Sequence, residues 1–151
     1  MNSDYYESCF QNEFIEECKK QIDETDLKLA DIEILGSVVI IMGYLLLIIA
    51  SKLDKMKIKN KNFKCNFNMG PAKVTYIAFV IAFLGIVILS YVASKRRSQM
   101  VLKRNVGLTQ ENLKPYDEIS GAYFISILAY FIRVIGANGL FKTESNEEVL
   151  V

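Results

Sequence analysis

The sequence predicts an all-α membrane protein in which three transmembrane helices form a small bundle. Three apolar runs, at 34–51, 74–94 and 119–141, carry this prediction. The first run has 18 residues and the second 21, all uncharged, and the third has 23 residues with Arg133 as its only charge. Apolar stretches of about 18 residues or more are long enough to cross the hydrocarbon core of a bilayer as helices. A soluble bundle would interleave polar positions within each run, whereas here the charges are confined to the segments between the runs.

The remaining sequence divides into an acidic N-terminal segment at 1–31, a membrane domain at 32–141 and an acidic tail at 142–151. The spans are predicted at about 32–51, 74–94 and 119–141. Because the net charge is only +1, the composition gives no global basic bias, and we predict no nucleic-acid partner. Lysine outnumbers arginine fourteen to four, a bias that AT-rich codons produce and that favours a bacterial source.

Residues 4–24 are predicted to form an acidic amphipathic N-terminal helix, followed by a bend at Gln21–Asp26. Its apolar side chains recur every four residues and form one stripe: Phe10, Phe14, Cys18 and Ile22. Residues 1–31 hold nine acidic residues and three lysines, the reverse of a signal peptide, so the first span is expected to direct membrane entry. Two interpretations stay open for this helix: it folds onto its own membrane domain, or it docks on a basic partner.

The first loop, at 52–73, has an alternating pattern of four lysines, Lys55, Lys57, Lys59 and Lys61, with the apolar residues Met56 and Ile58 between the first three. Period two favours extended chain, so a short β-hairpin with its turn at 59–62 is one interpretation, and an irregular lysine-rich loop is the other. A lone two-stranded ribbon is marginal in water and would need a membrane surface or a partner. The four lysines, together with Lys95, Arg96 and Arg97 after the second span, are expected to contact lipid headgroups.

Each span carries small residues, which let helix backbones approach closely where lipid removes the hydrophobic driving force for association. The predicted packing residues are Gly36 and Gly43 in the first span, Ala78, Ala82 and Gly85 in the second, and Ser126, Ala129 and Gly136 in the third. The third group lies within about 60° of Arg133 on a helical wheel, with Phe124, Leu128 and Phe131 on the opposite side, where we expect lipid. These stripes predict either one tight bundle or self-association.

Arg133 is the candidate functional residue within the membrane, because a charge inside a span is costly. Insertion scales put a central arginine at about 2.5–3.5 kcal/mol, and the eleven Leu, Ile, Val and Phe residues of this span return roughly 3–7 kcal/mol. The third span is therefore expected to depend on its neighbours. Tyr44, at similar depth in the parallel first span, is the predicted hydrogen-bond or cation–π partner. Arg133 either contacts an ion, a substrate or a partner's carboxylate, or is satisfied within the bundle.

The sequence contains no recognisable catalytic constellation. There is no histidine, no phosphate-binding glycine loop and no nucleophile elbow, and Cys9, Cys18 and Cys65 are too scattered for a disulfide framework or a zinc site. We therefore predict no enzyme activity, no cofactor and no metal. The expected partners are the lipid bilayer and either another membrane protein or a second copy. The leading hypothesis is a non-catalytic accessory subunit, and the alternative is a holin-like homo-oligomeric pore or small transporter with Arg133 in the path.

The positive-inside rule favours a multi-pass protein of the cell membrane with its N-terminus outside. Within 15 residues of the first apolar run, three positive charges precede it and six follow it. The count of positive charges over the whole chain does not decide the orientation. An outside N-terminus places eight positive charges inside and nine outside, with Lys95–Arg97 among the outer ones.

Overall fold

A computed structural model describes the backbone of residues 3–59 and 70–149 and the side chains of residues 15–59 and 70–146. These residues form three long α-helices, and no strand occurs among them. The helices are α1, Ser3–Lys59; α2, Pro71–Asn105; and α3, Lys114–Val149. The predicted all-helical fold class is confirmed in this part of the chain.

Each helix contains a segment long and apolar enough to cross a membrane, so the chain is a membrane protein with three candidate spans. The segments are Ile15–Lys59, Pro71–Asn105 and Lys114–Asn146. All three extend beyond the apolar runs of the sequence. Charged residues therefore continue the same helices outside the hydrocarbon core.

α1 passes from the N-terminal segment into the first span without interruption. The predicted bend at Gln21–Asp26 is absent, and the Thr25 hydroxyl donates to the Gln21 carbonyl at 2.8 Å, as threonine does within a helix. On the predicted amphipathic stripe, Ile22 is buried and Cys18 is half-buried. The side chains of Phe10 and Phe14 lie outside the described residues, so the stripe as a whole stays a prediction.

The first loop begins later than its sequence pattern predicts. Residues 52–59 continue α1, with Lys57 and Lys59 in its last turn, so the segment expected as the first strand of a hairpin is helical. Extending an existing helix adds one hydrogen bond for each residue fixed, whereas a new element must be nucleated. The hairpin is not confirmed, and the rest of it, including Lys61, lies outside the described residues.

α2 lies between α1 and α3 and packs against both. Gly36 of α1 faces Leu89 and Gly43 faces Ala82, so α1 and α2 are antiparallel. Among the described residues, the backbones of α1 and α3 make no close approach, and these helices meet through long side chains. Most of the buried apolar residues belong to α2: Val74, Ala78, Ala82, Ile86, Leu89, Val92, Ala93 and Met100.

The ends of α2 follow from local sequence. Pro71 stands at the start of the helix, where its missing N–H group would be unpaired in any case. The other end stops at Asn105, and Gly107 has a φ of 80°, a backbone conformation that favours glycine. There the Leu108 N–H donates to the Lys103 carbonyl at 2.9 Å and closes the last turn.

α1 and α2 stay packed together beyond the apolar runs. Ile22 and Leu29 of α1 and Met100 of α2 are buried. Lys103 Nζ lies 2.7 Å from Asp26 Oδ2 across the same pair of helices. The charged extensions of α1 and α2 thus form a two-helix projection on one side of the membrane.

Candidate functional site

Tyr130, a buried residue of the bundle, is the centre of a polar cluster with Tyr44 and Arg133. Its side chain is only 8% exposed and packs with Ala82 and Ile86 of α2. Its hydroxyl forms a hydrogen bond with the hydroxyl of Tyr44 on α1. The Arg133 guanidinium lies over the Tyr130 ring, with Cζ 4.9 Å from the ring centroid. Tyr130 therefore connects all three helices.

The geometry differs in one respect from the arrangement predicted for Arg133. Tyr44 was expected as its direct partner, but Tyr130 lies between them: it accepts the cation on its ring face and binds Tyr44 through its hydroxyl. Tyr130 precedes Arg133 by three residues, a spacing at which helical side chains are neighbours. This three-residue spacing was the signal in the sequence for a contact between Tyr130 and Arg133, and the prediction missed it.

Arg133 itself is exposed on the outer surface of the bundle. Among the side chains that the structure describes, none of the ion pairs includes it. The ring of Tyr130 balances part of its charge, but no carboxylate of the described residues pairs with it on this apolar surface. Arg133 is thus the one charged residue of an apolar run, and it faces outward.

Small residues surround Arg133 on the same exposed surface of α3. A Cβ atom added at Gly136 would meet no heavy atom of another helix within 4 Å among the described residues, so none of them packs there. We refer to this surface as the Arg133 face, formed by Ala122, Ala129, Arg133 and Gly136, all of which are exposed. Ser126, at its edge, is half-buried, and its hydroxyl donates to the Ala122 carbonyl at 2.9 Å. Ala129 and Gly136 were predicted to pack against the other helices, but both are exposed. The α3 residues that turn toward α2 are Tyr130 and Ala137.

The predicted packing residues of the first two spans lie at the contact between α1 and α2. A Cβ atom at Gly43 would lie 2.9 Å from Ala82 Cβ and 3.0 Å from the Ala78 carbonyl oxygen. One at Gly85 would lie 2.9 Å from the Gly36 carbonyl oxygen. The glycines are therefore needed for the two backbones to come this close.

On the side of the two-helix projection, basic residues predicted as headgroup contacts pair with carboxylates of neighbouring helices. Arg96 forms a salt bridge with Glu33 of α1, and Arg97 forms one with Asp117 of α3. Lys95 lies over the ring of Tyr91, with Nζ 5.7 Å from the ring centroid. These arginines link the helices at the membrane boundary while keeping about half of their side-chain surface exposed.

At the opposite end, Glu144 of α3 joins all three helices. Its Oε1 lies 2.7 Å from Lys57 Nζ of α1, and its Oε2 accepts the Ala72 N–H of α2 at 3.0 Å. Ala72 is in the first turn of α2, where N–H groups lack partners within the helix and a negative charge is favourable. A Cβ atom at Gly70 would lie 2.7 Å from Oε2, so glycine leaves space for this carboxylate. Lys55 and Lys59 are exposed nearby, and Lys61 is outside the described residues.

The described side chains contain no group of three or more Cys, Asp or Glu residues that could hold a metal ion. Comparison with protein-family models, with curated proteins and with solved structures finds no match for this chain. The chemistry of the residues described above, and above all of the exposed Arg133, is therefore what indicates a function.

Proposed function

We propose that this chain is a non-catalytic accessory subunit of a bacterial cell membrane that binds a transmembrane helix of another protein through the Arg133 face. The observation that carries the proposal is an exposed arginine within an apolar run, without a carboxylate among the described side chains and surrounded by small residues. Small residues permit close helix contact in a membrane, and a charge there favours an oppositely charged partner.

The chemistry of the partner follows from the chain itself. The three apolar runs contain no aspartate or glutamate. A second copy placed on the Arg133 face would therefore bring another arginine to this depth and no carboxylate. A helix of a different protein that carries an aspartate or glutamate opposite Arg133 satisfies both the charge and the small-residue surface.

The proposal is tested by purifying the tagged chain from its native membranes in a mild detergent. We expect a stoichiometric partner with wild-type protein, and its loss with Arg133→Leu. Arg104→Leu is the matched control, because Arg104 is an exposed arginine of α2 outside the apolar run. A solitary monomer in the wild type, or full retention of the partner by Arg133→Leu, would reject the proposal.

A charge exchange identifies the partner's carboxylate. When the partner has been identified, its membrane aspartate or glutamate is changed to arginine, and Arg133→Asp is introduced in this chain. We expect each single change to abolish co-purification and the combination to restore it, because the pair of opposite charges is re-formed. Failure of every such combination would contradict a direct charge pair.

A homo-oligomeric pore is the second candidate function, favoured by the same outward position of Arg133. In a ring of copies, this arginine could line a path between protomers. Ion flux in liposomes that contain only this protein, and that disappears with Arg133→Leu, would support the pore. Absence of flux with the wild-type protein would remove it.

For orientation, we propose that the N-terminus is outside the cell. The positive charges that follow the first apolar run outnumber those that precede it, six to three within 15 residues. An impermeant thiol reagent applied to intact cells is expected to label Cys9 and not Cys65. Labelling of Cys65 alone would reverse this orientation.

A further inference from the structure

α1 and α3 stand on either side of an open groove whose floor is α2. Each of them packs against α2, while their backbones make no close approach to each other among the described residues. At the end of the bundle near Glu144, the groove widens into a cavity of about 430 Å³. Ser51 of α1 and Leu140 of α3 are on its walls, and Thr75 of α2 is on its floor. In a helix bundle, a fourth helix packs at this position.

The Arg133 face borders this groove. On α3, Tyr130 and Glu144 reach side chains of α1, whereas Phe131 contacts Phe83 of α2. With 3.6 residues per turn, Arg133 lies within about 20° of Glu144 around the helix axis and about 160° from Phe131. The side of α3 that carries Arg133 is therefore the side nearer to α1.

The opposite wall of the groove belongs to α1. Ser37, Tyr44 and Ser51 recur at seven-residue intervals and share one face of this helix. Tyr44 reaches Tyr130 on the other wall, so this face is the one nearer to α3. The Ser51 hydroxyl donates to the Leu47 carbonyl at 3.0 Å within α1. Its hydrogen bond is thus made internally, and the side chain offers a neighbouring helix a small surface.

Small residues occur at matching levels on the two walls. α1 and α3 run parallel, with Tyr44 at the level of Tyr130 and Lys57 at that of Glu144. Ser51 comes seven residues after Tyr44, and Gly136 six residues after Tyr130. On the other side of the tyrosine pair, Ser37 comes seven residues before Tyr44, and Ala122 eight before Tyr130. A helix between the walls can therefore approach both over roughly 20 Å, most of the thickness of a bilayer core.

We propose that a partner's transmembrane helix seats in the groove between α1 and α3 as the fourth helix of a bundle, in contact with Ser37 and Ser51 as well as with the Arg133 face. This inference rests on the proposed function and adds α1 as a second wall of the same site. A partner that contacts two helices at once is held in one position, whereas a single helix face leaves its direction of approach open.

The charge of Arg133 identifies the occupant. No carboxylate among the described side chains pairs with Arg133, and an aspartate or glutamate of the partner supplies the opposite charge. The guanidinium lies over the ring of Tyr130, the middle residue of the apolar run 119–141. The partner's carboxylate is therefore expected near the middle of its own span. A lipid acyl chain in the groove would leave Arg133 unpaired, and a second copy would bring another arginine.

Photocrosslinking of the full-length chain in its native membranes tests the second wall. A photoreactive amino acid at Ser37 is expected to crosslink the same protein as one at Ala129. Val38 is the matched control at the same depth, because it is 47% exposed away from the groove and should reach only lipid. A protein crosslink from Ala129 with lipid alone from Ser37 would overturn the groove and leave the proposed function standing. Lipid alone from both positions would overturn both.

Filling the groove tests the same inference by co-purification. Ser51→Phe places a ring in the cavity, and we expect the recovery of the partner to fall by about tenfold or more. Ile49→Phe places the same ring at a similar level on the lipid-facing surface, where Ile49 is 48% exposed, and should retain the partner. Ser51 is exposed, so both variants are expected to fold, which circular dichroism checks. Full retention of the partner by a folded Ser51→Phe, with loss in Arg133→Leu, would overturn the groove alone.

Discussion

α1 and α3 both pack against α2, but the two contacts are built differently. α1 approaches through glycines, and a Cβ atom at Gly85 would lie only 2.5 Å from Ile40 Cγ1. α3 approaches through larger side chains, with the rings of Phe131 and Phe83 6.2 Å apart between centroids, and leaves open space at Gly136. Small residues therefore form an internal contact in the first two spans and an outer surface in the third. Small residues thus hold two helices together in one place and form an exposed surface in the other, and the exposed surface is the one that suggests a partner.

The largest expected effect comes from filling space at the α1–α2 contact. Gly85→Ala should lower the free energy of unfolding by about 1–3 kcal/mol, because a backbone oxygen and a backbone nitrogen of α1 lie within 3.0 Å of the added carbon. Gly136→Ala, the same change on α3, should leave stability unchanged or raise it by up to about 1 kcal/mol. Denaturant titration in detergent, followed by circular dichroism, measures both. Equal losses in the two variants would remove the distinction between the contacts.

The contact of α3 with the end of the bundle is tested at Glu144. Glu144→Ala removes the acceptor of the Ala72 N–H and the carboxylate of the salt bridge to Lys57, and we expect a loss of about 1–2 kcal/mol in the free energy of unfolding, as for a helix cap. The control is Glu118→Ala, which breaks an exposed pair with Lys114 at 3.7 Å and should cost less than about 0.5 kcal/mol. Denaturant titration in detergent, followed by circular dichroism, measures both losses. A loss no greater than that of the control would show that Glu144 does not hold the helices together.

The link between α1 and α3 is tested by a double-mutant cycle. Tyr44→Phe and Tyr130→Phe each remove one hydroxyl of the shared hydrogen bond, and we expect a coupling energy of about 0.5–1.5 kcal/mol. Tyr91→Phe is the control, because the contact of Tyr91 with Lys95 is made by its ring. Additive losses for Tyr44 and Tyr130 would mean that the hydroxyls do not interact.

Apart from the control variants, the smallest effect on stability is expected for Arg133. Arg133→Leu should change the free energy of unfolding by less than about 1 kcal/mol, because the side chain is exposed and its contact with Tyr130 is a single cation–π interaction. Denaturant titration in detergent measures this change in the free energy of unfolding. A loss of several kcal/mol would instead give Arg133 a structural role within the bundle.

The sequence was sufficient to predict the three helices but not to predict which face of each helix turns toward its neighbours. Uncharged runs of 18 and 21 residues and a third run interrupted only by Arg133 specify helices, since a bilayer leaves few alternatives for backbone hydrogen bonding. Which face of α3 turns inward depends on side chains from other helices. Tyr44 reaches Tyr130, and Phe83 contacts Phe131. In lipid, hydrophobicity does not separate these faces, so the helical wheel alone could not show which one packs.

Besides the Tyr130–Arg133 contact, the contacts that the sequence did not reveal join residues far apart in the chain. Glu144 and Ala72 are separated by 72 residues, and neither stands in a local capping motif that would reveal the hydrogen bond. The hairpin is not confirmed, and residues 52–59 are helical for a different reason: alternation of lysine and apolar residues is a local pattern, and the continuing helix overrides it.

Site-specific photocrosslinking in native membranes tests whether the Arg133 face binds another membrane protein, as we propose. A photoreactive amino acid at Ala129, which is exposed on this face, is expected to crosslink one other membrane protein. At Phe124, which is 63% exposed on the opposite side of α3, it should reach only lipid. The protein crosslink from position 129 should disappear in Arg133→Leu. Crosslinks to lipid alone at both positions, or to a second copy of the chain regardless of Arg133, would show that the Arg133 face does not bind a different protein through Arg133.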